Sequence, residues 1–201
     1  MRVLSLDSAT PFPALAVVDE AGHGRVVPLP AAAAEALPSA VADALAETAL
    51  SVADLDRVAV LSGPGSFTGL RAGIAFARGL ARARGIPLAL VPTFRAAALA
   101  LADDGDAVFV LDAGRGEVHA ARRSGGRLAE APAPRPRADV LAEAAAAGLR
   151  VLDLGAAPLP LASAAARAAA AAGPDAPIAA VVYGRASAAE EKLAARGNPT
   201  P

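Results

Sequence analysis

The feature that most constrains the fold is a glycine-rich stretch, Gly63–Gly73 (GPGSFTGLRAG), which lies between an apolar run and a helical pattern. The run before it, Arg57–Leu61, predicts a strand, and the residues after it predict a helix from about Thr68 to Arg84. Glycine-rich turns between a strand and a helix often hold phosphate, because the free N–H groups at a helix N-terminus attract anions. The stretch therefore serves either phosphate binding or close packing.

The two common phosphate-binding motifs do not fit this stretch. A P-loop needs a lysine directly after its second glycine, and the one lysine of the sequence is Lys192. The dinucleotide motif G-x-G-x-x-G needs a glycine three residues after Gly65, where Thr68 stands. We therefore expect no productive nucleotide site at this loop, and we favour close packing.

One side of the predicted helix carries almost no side chain, because Gly69, Gly73, Ala77 and Ala81 recur every four residues. A glycine inside a helix costs about 1 kcal/mol relative to alanine, and the close approach of a neighbouring element can offset that cost. The neighbour is either the protein's own sheet or a partner subunit that docks on this stripe. The arginines of the same helix, Arg71, Arg78 and Arg82, share another face, which we expect to be solvated.

If the neighbour is a partner, an earlier helix with Leu37, Val41 and Leu45 at four-residue spacing would dock beside the stripe. The interface residues that we expect are Leu37, Val41, Leu45, Phe67, Gly69, Leu70, Gly73, Ile74 and Ala77.

The order of the predicted elements indicates two related α/β lobes. Three short strands before residue 30 form a meander, and a helix, a strand, a helix and a strand follow up to residue 91. Thr93 is the expected N-cap of the next helix, and Pro38 is expected in the first turn of the first helix. A hairpin-then-helix pattern begins again near residue 107. We therefore place an N-terminal lobe with the interface helices at residues 1–102 and a C-terminal lobe at residues 103–201.

Composition excludes several classes of function. The 201 residues include no cysteine, two histidines and 3% aromatic residues, and the net charge is −1. Disulfides, thiolate metal sites and thiol catalysis are excluded, and neither nucleic acid nor a membrane surface is favoured by charge. The apolar run that ends at Asp7 is too short for a signal peptide, and no stretch is long enough to span a membrane, so we expect a cytoplasmic protein.

The segment Gly63–Ala81 closely resembles the most characteristic segment of the TsaB (YeaZ) family. Members of this family are bacterial subunits needed to make threonylcarbamoyl-adenosine in tRNA. Four weaker matches are spread over the chain: Leu4–Thr10, Ala36–Val41, Asp112–Val118 and Val182–Arg185. The chain departs from the family pattern at Ala32 and Ala33, in the extra glycine of its Asp112–Arg115 turn, and at His119, where the family usually has tyrosine. The second lobe also looks short.

The resemblance implies an α/β fold of two ribonuclease-H-like lobes of the actin/Hsp70-like ATPase fold. It implies a non-catalytic scaffold subunit, with no catalytic residue, metal or cofactor of its own, that is required for threonylcarbamoyl transfer to the adenosine next to the anticodon. The catalytic partner would be TsaD, with TsaE as the ATPase, so that ATP and magnesium act in the partner subunits. TsaD would dock on the two helices at about Ala34–Ala49 and Thr68–Arg84. A homodimer through a related surface is also implied, and tRNA would be reached only through the complex.

In the actin-like fold, acids that end the first strand of each lobe hold a metal and a nucleotide between the lobes. Here Asp7, Thr10, Asp112, Arg115 and Glu117 would form a vestigial cleft of this kind. We favour Asp7 and Thr10 as turn-forming residues, because an aspartate side chain readily accepts hydrogen bonds from nearby backbone N–H groups. Arg115 and Glu117 are expected to form a structural pair or a partner contact.

Two other functions remain as alternatives. One is a free-standing ATPase or kinase of the actin-like fold, which would use Asp7 with magnesium. The weaker one is a metallopeptidase, which needs two histidines four residues apart on a helix. The two histidines, His23 and His119, are far apart in the sequence, and we expect both to be solvated.

Overall fold

The computed structural model describes residues 1–19, 24–30, 33–101, 103–131 and 133–171. Several residues discussed above lie outside these ranges, namely His23, Ala32, Lys192 and the Val182–Arg185 motif. The sequence also predicts a chain break at Pro174–Pro177 and a C-terminal helix over Ser187–Arg196, and both of these lie outside the described residues.

The described residues form strands and helices that follow the predicted order. The strands are β1 (Val3–Asp7), β2 (Ala14–Val18), β3 (Gly24–Pro28), β4 (Arg57–Leu61), β5 (Leu88–Val91), β6 (Ala107–Gly114), β7 (Glu117–Ser124), β8 (Arg127–Glu130), β9 (Arg135–Pro136) and β10 (Arg150–Asp153). The helices are α1 (Ala33–Glu47), α2 (Phe67–Arg84), α3 (Thr93–Ala100), α4 (Arg137–Ala146) and α5 (Leu161–Ala171), with a short 3-10 turn at Val52–Asp54.

The first five strands form one sheet in the order β3-β2-β1-β4-β5. β1, β2 and β3 pair antiparallel, and β4 and β5 continue the sheet parallel to β1. The second sheet repeats this plan, because β6, β7 and β8 pair antiparallel and β10 adds parallel to β6. Within the described part of the chain, the second sheet also has five strands, because the two-residue strand β9 pairs antiparallel with β7.

This repeated topology confirms the predicted fold class, two ribonuclease-H-like lobes of the actin/Hsp70-like kind. The lobe boundary near residue 102 stays a prediction. Although α5 follows the second sheet in the sequence, it packs on β1, β2 and β4 of the first. The alanines that it presents, Ala162, Ala166 and Ala169, form a buried cluster with small residues of the first sheet.

Two buried arginines connect distant elements: one links the first sheet to α5, and the other links the second sheet to α3. Arg57 at the start of β4 donates a hydrogen bond to the carbonyl oxygen of Ala169, near the end of α5. Arg123 of β7 donates to the carbonyl oxygens of Gly105 (2.9 Å) and Ala98 (3.3 Å) and forms an ion pair with Asp103. Arg123 therefore joins the second sheet to α3 and to the connection between the lobes.

Two local predictions are corrected by the structure. α1 begins at Ala33, so Pro38 lies beyond the first turn, inside the helix, where it leaves one backbone hydrogen bond unmade. Pro92, not Thr93, stands at the N-cap of α3, and Thr93 is the first helical residue. A proline side chain cannot make the N-cap hydrogen bond, whereas a threonine side chain can. The sequence pattern therefore favoured Thr93 and placed the N-cap one residue too late.

Candidate partner-facing helices and nucleotide cleft

Glycines of the Gly63–Gly73 stretch allow the turn between β1 and β2 to pack closely against the start of α2. A side chain at Gly69 would place its Cβ 2.0 Å from the backbone oxygen of Ser8, and one at Gly73 would place it 2.1 Å from the Ser8 hydroxyl oxygen. At Gly65 the added Cβ would lie 2.7 Å from the backbone oxygen of Ala9. Because real Cβ atoms do not approach backbone this closely, Gly65 and Gly69 require glycine in order for the turn to lie on α2, whereas a Cβ at Gly73 would displace the Ser8 hydroxyl from its position.

Hydrogen bonds fix the same contact. The Ser8 hydroxyl donates to the carbonyl oxygen of Gly69 at 2.8 Å, and the backbone N–H of Ser66 donates to the carbonyl oxygen of Ala9 at 2.7 Å. The Ser66 side chain caps α2 by accepting from the N–H of Gly69 at 3.3 Å. The start of α2 and the β1–β2 turn are thus joined by backbone atoms from both sides.

Of the two neighbours considered for the glycine side of α2, the structure places the chain's own turn there. Docking of a partner subunit on these helices stays a prediction. Seven of the nine predicted interface residues are buried: Leu37, Val41, Leu45, Leu70, Gly73, Ile74 and Ala77. They lie in the core between the first sheet and its two helices. Gly69 is covered by Ser8, and Phe67 is half-buried with the Arg71 guanidinium 4.0 Å from its ring centre.

The outward sides of α1 and α2 carry opposite charges. Exposed acidic residues lie on α1, namely Glu35, Asp43 and Glu47. Exposed arginines lie on α2, namely Arg71, Arg78 and Arg82. The two helices pack against each other. Of the acidic residues, Glu47 forms an ion pair with Arg25 of β3 at 2.7 Å. We call the exposed sides of these two helices, with their acidic and basic residues, the α1/α2 outer face.

The structure brings Asp7 and Thr10 together in the β1–β2 turn. The Thr10 hydroxyl donates to one carboxylate oxygen of Asp7 at 2.5 Å, and the backbone N–H groups of Ala9 and Thr10 both donate to the other at 3.1 Å. Burial raises the pKa of the Asp7 carboxyl to about 6, although these hydrogen bonds act to lower it. Asp7 is thus a buried turn-forming residue, as its sequence context suggests.

Both carboxylate oxygens of Asp7 accept hydrogen bonds from their own turn, which holds the carboxylate within the β1–β2 loop. The described residues contain no group of three or more histidine, aspartate or glutamate side chains placed to bind a metal ion. The absence of a nucleotide site stays a prediction.

The residues predicted on the other side of the cleft lie on the β6–β7 hairpin. Asp112 is exposed near the end of β6, Arg115 occupies the turn with a φ of 58°, and Glu117 begins β7. His119 on β7 is half-buried, so the expectation that it is solvated is wrong. Burial lowers the pKa of its imidazole, and the charge of Asp112 opposes part of this shift.

Sequence reasoning missed Ser8, which holds the β1–β2 turn on α2. No local pattern identifies it, because its partner Gly69 is 61 residues away in the chain. The glycine spacing on α2 is the signal that a close neighbour exists, but not which neighbour it is. As for membranes, the helices in the part of the chain that the structure describes are too short or too polar to cross a bilayer.

Comparison with known proteins identifies the family. The family model described as TsaD, tRNA N6-adenosine threonylcarbamoyltransferase, matches residues 9–195. An uncharacterized protein of Mycobacterium tuberculosis is 43% identical over 142 residues, which cover 69% of this chain and 66% of that protein. The chain thus spans just under two thirds of that relative's length. The tRNA N6-adenosine threonylcarbamoyltransferase of a Ruegeria species is 48% identical over 68 residues, which cover 33% of this chain and 19% of the enzyme.

Solved structures agree with this result. YeaZ from Pseudomonas aeruginosa aligns with a TM-score of 0.56 and 26% identity, over 67% of this chain and 65% of that one. A second Pseudomonas aeruginosa structure, a protein with similarity to the peptidase YeaZ, aligns with a TM-score of 0.55 and 27% identity, over 67% of this chain and 66% of that one. The chain belongs to the tRNA N6-adenosine threonylcarbamoyltransferase (TsaD) family, within which it is a TsaB/YeaZ-like protein.

Proposed function

We propose that this chain is a non-catalytic scaffold subunit required for threonylcarbamoyl transfer to the adenosine next to the anticodon in tRNA. It acts with a TsaD-type catalytic subunit and a TsaE-type ATPase in the cytoplasm. The observation that carries this proposal is the closed β1–β2 turn. Asp7, which would have to face a metal and a nucleotide in an actin-like enzyme, is buried and accepts three hydrogen bonds within its own turn.

The proposal assigns the chemistry to the partners. This chain binds no nucleotide or metal of its own, and ATP and magnesium act in the TsaD-type and TsaE-type subunits. With a net charge of −1, the chain has little electrostatic attraction for tRNA and engages it only within the assembled complex. The role left to this chain is to hold the catalytic subunit in its active arrangement.

The α1/α2 outer face is the surface that we assign to the TsaD-type subunit. The buried side of both helices is occupied by the chain's own sheet and turn, so a partner that uses these helices must approach from outside. A partner that fits would present basic groups to α1 and acidic groups to α2. The same surface can pair two copies of this chain antiparallel, because each copy carries both charges, and this supports a homodimer in the absence of the partner.

Reversing one charge on this face tests the assignment. We expect Arg78→Glu to weaken capture of the TsaD-type subunit about tenfold, because an acid then meets the partner's acidic groups. Affinity is measured by titrating the purified partner against immobilised chain at low salt. Arg127→Glu on β8 is the matched control, since this exposed arginine lies on the second sheet, and it should retain the parent affinity. Equal loss in both variants, or none in Arg78→Glu, would contradict the assignment.

A further inference from the structure

An apolar groove of about 600 Å³ lies beside the edge strand β3. Its walls are residues 11–13 of the β1–β2 turn with the first residue of β2, residues 26, 28 and 29 in and after β3, and residues 158–162 before and at the start of α5. All of these side chains are apolar. Phe12 and Val26 are 37% and 42% exposed, and they are two of the three large apolar side chains that the described residues leave open to solvent.

The groove is open because α5 covers only part of its face of the sheet. α5 packs on β1, β2 and β4, and β3 lies beyond them at the edge. Val26 of β3 pairs with Ala16 of β2, and cross-strand partners share one face of a sheet. Ala16 is buried in the cluster under α5, whereas Val26 is exposed. The apolar layer beneath α5 therefore continues onto β3, where no other described element covers it.

The chain itself supplies a segment of matching chemistry. Residues 172–201 follow α5, and within them Pro177–Gly184 (PIAAVVYG) is an uncharged, apolar stretch. α5 has 11 residues and is about 16 Å long. The residues between Ala171 and Pro177 span up to about 20 Å when extended, so Pro177–Gly184 can run back beside α5 and reach the groove at its first turn.

We propose that Pro177–Gly184 of the same chain occupies this groove and completes the apolar layer over β3. An uncharged segment suits a groove whose walls offer no charge, because neither side then loses a hydrated ion on contact. Tethering to α5 favours the segment of the same chain over a free partner, since the tether keeps its local concentration high.

The only tyrosine of the sequence, Tyr183, lies in this segment, and the sequence has no tryptophan, so intrinsic fluorescence reports on the segment directly. In the 201-residue chain we expect acrylamide to quench Tyr183 several-fold less than in a synthetic peptide of residues 172–201. Val26→Asp places a charge in the groove and should raise quenching to the level of the peptide. Leu99→Asp is the matched control, because Leu99 is an equally exposed apolar residue on α3, at 48%, and should leave quenching unchanged.

A second measurement covers the case in which Val26→Asp fails to fold. The sequence has no cysteine, so Val26→Cys creates a single thiol, and adding Val182→Asp should raise its maleimide labelling rate several-fold. The proposal is overturned if Tyr183 of the parent is quenched like the peptide, or if neither pair of variants differs. Protection that appears only as the protein concentration rises would place the segment in a second copy and would equally overturn it.

Discussion

Replacing Gly69 by alanine is expected to lower the free energy of unfolding by about 3 kcal/mol, because the new methyl group meets backbone rather than a movable side chain. The added Cβ would lie 2.0 Å from the backbone oxygen of Ser8, so either α2 or the β1–β2 turn has to move. In a domain of this size the melting temperature should fall by roughly 10 °C. Thermal or urea unfolding of the purified chain measures the change.

Gly79 provides a matched control on the same helix. A Cβ at Gly79 meets nothing within 4 Å, so Gly79→Ala should stabilise the chain by up to about 1 kcal/mol through helix propensity alone. The two substitutions are chemically identical and are expected to have opposite signs. If Gly69→Ala were as harmless as Gly79→Ala, the β1–β2 turn would not lie on α2 as described.

Replacing Asp7 by asparagine is expected to remove a pH dependence and to stabilise the chain at pH 8. The pKa of Asp7 is raised by burial from 3.8 to about 6, so the folded state binds the proton more tightly than the unfolded state does. Stability from this group is therefore complete below about pH 4 and is lost as the pH rises to about 6, by up to about 3 kcal/mol. Asparagine can still accept both backbone hydrogen bonds and carries no charge, so it avoids that loss.

The measurement is the unfolding free energy of the parent and of Asp7→Asn at pH 4 and pH 8. Only the difference between the two proteins isolates Asp7, because the pKa values of other carboxyls such as Asp103 and Asp153 are lowered and give the opposite trend. Asp43→Asn, which removes an exposed carboxylate from α1, should follow the parent. If Asp7→Asn instead destabilised the chain at pH 8 and abolished a calorimetric response to Mg-ATP, the free-standing ATPase or kinase would be the better hypothesis.

The parts of the fold that depend on local pattern could be predicted from the sequence. The meander before residue 30, the strand Arg57–Leu61 and the helix after it follow from hydrophobic period and turn residues, which act over a few positions. The turn-forming role of Asp7 could be predicted for the same reason, since its partners Ala9 and Thr10 lie within three residues.

Features that depend on distant contacts could not be predicted. Gly69 and Gly73 indicate a close neighbour. A helix surface without side chains, however, can pack equally well against a helix of another subunit or against the chain's own turn. The choice is made by Ser8, which no local pattern connects to α2. Likewise, the alanines of α5 indicate tight packing, but not that the helix returns to the first sheet to meet Arg57.

The most direct test of the account labels the two sides of α2 separately. In this cysteine-free chain, Arg78→Cys places a thiol on the α1/α2 outer face, and Ala77→Cys places one in the buried core. Maleimide labelling is followed with and without the TsaD-type subunit. We predict that Arg78→Cys reacts rapidly alone and is protected by the partner, while Ala77→Cys is unreactive in both states. A thiol at position 77 that reacts in the free chain and is protected in the complex, with position 78 unaffected by the partner, would contradict the account.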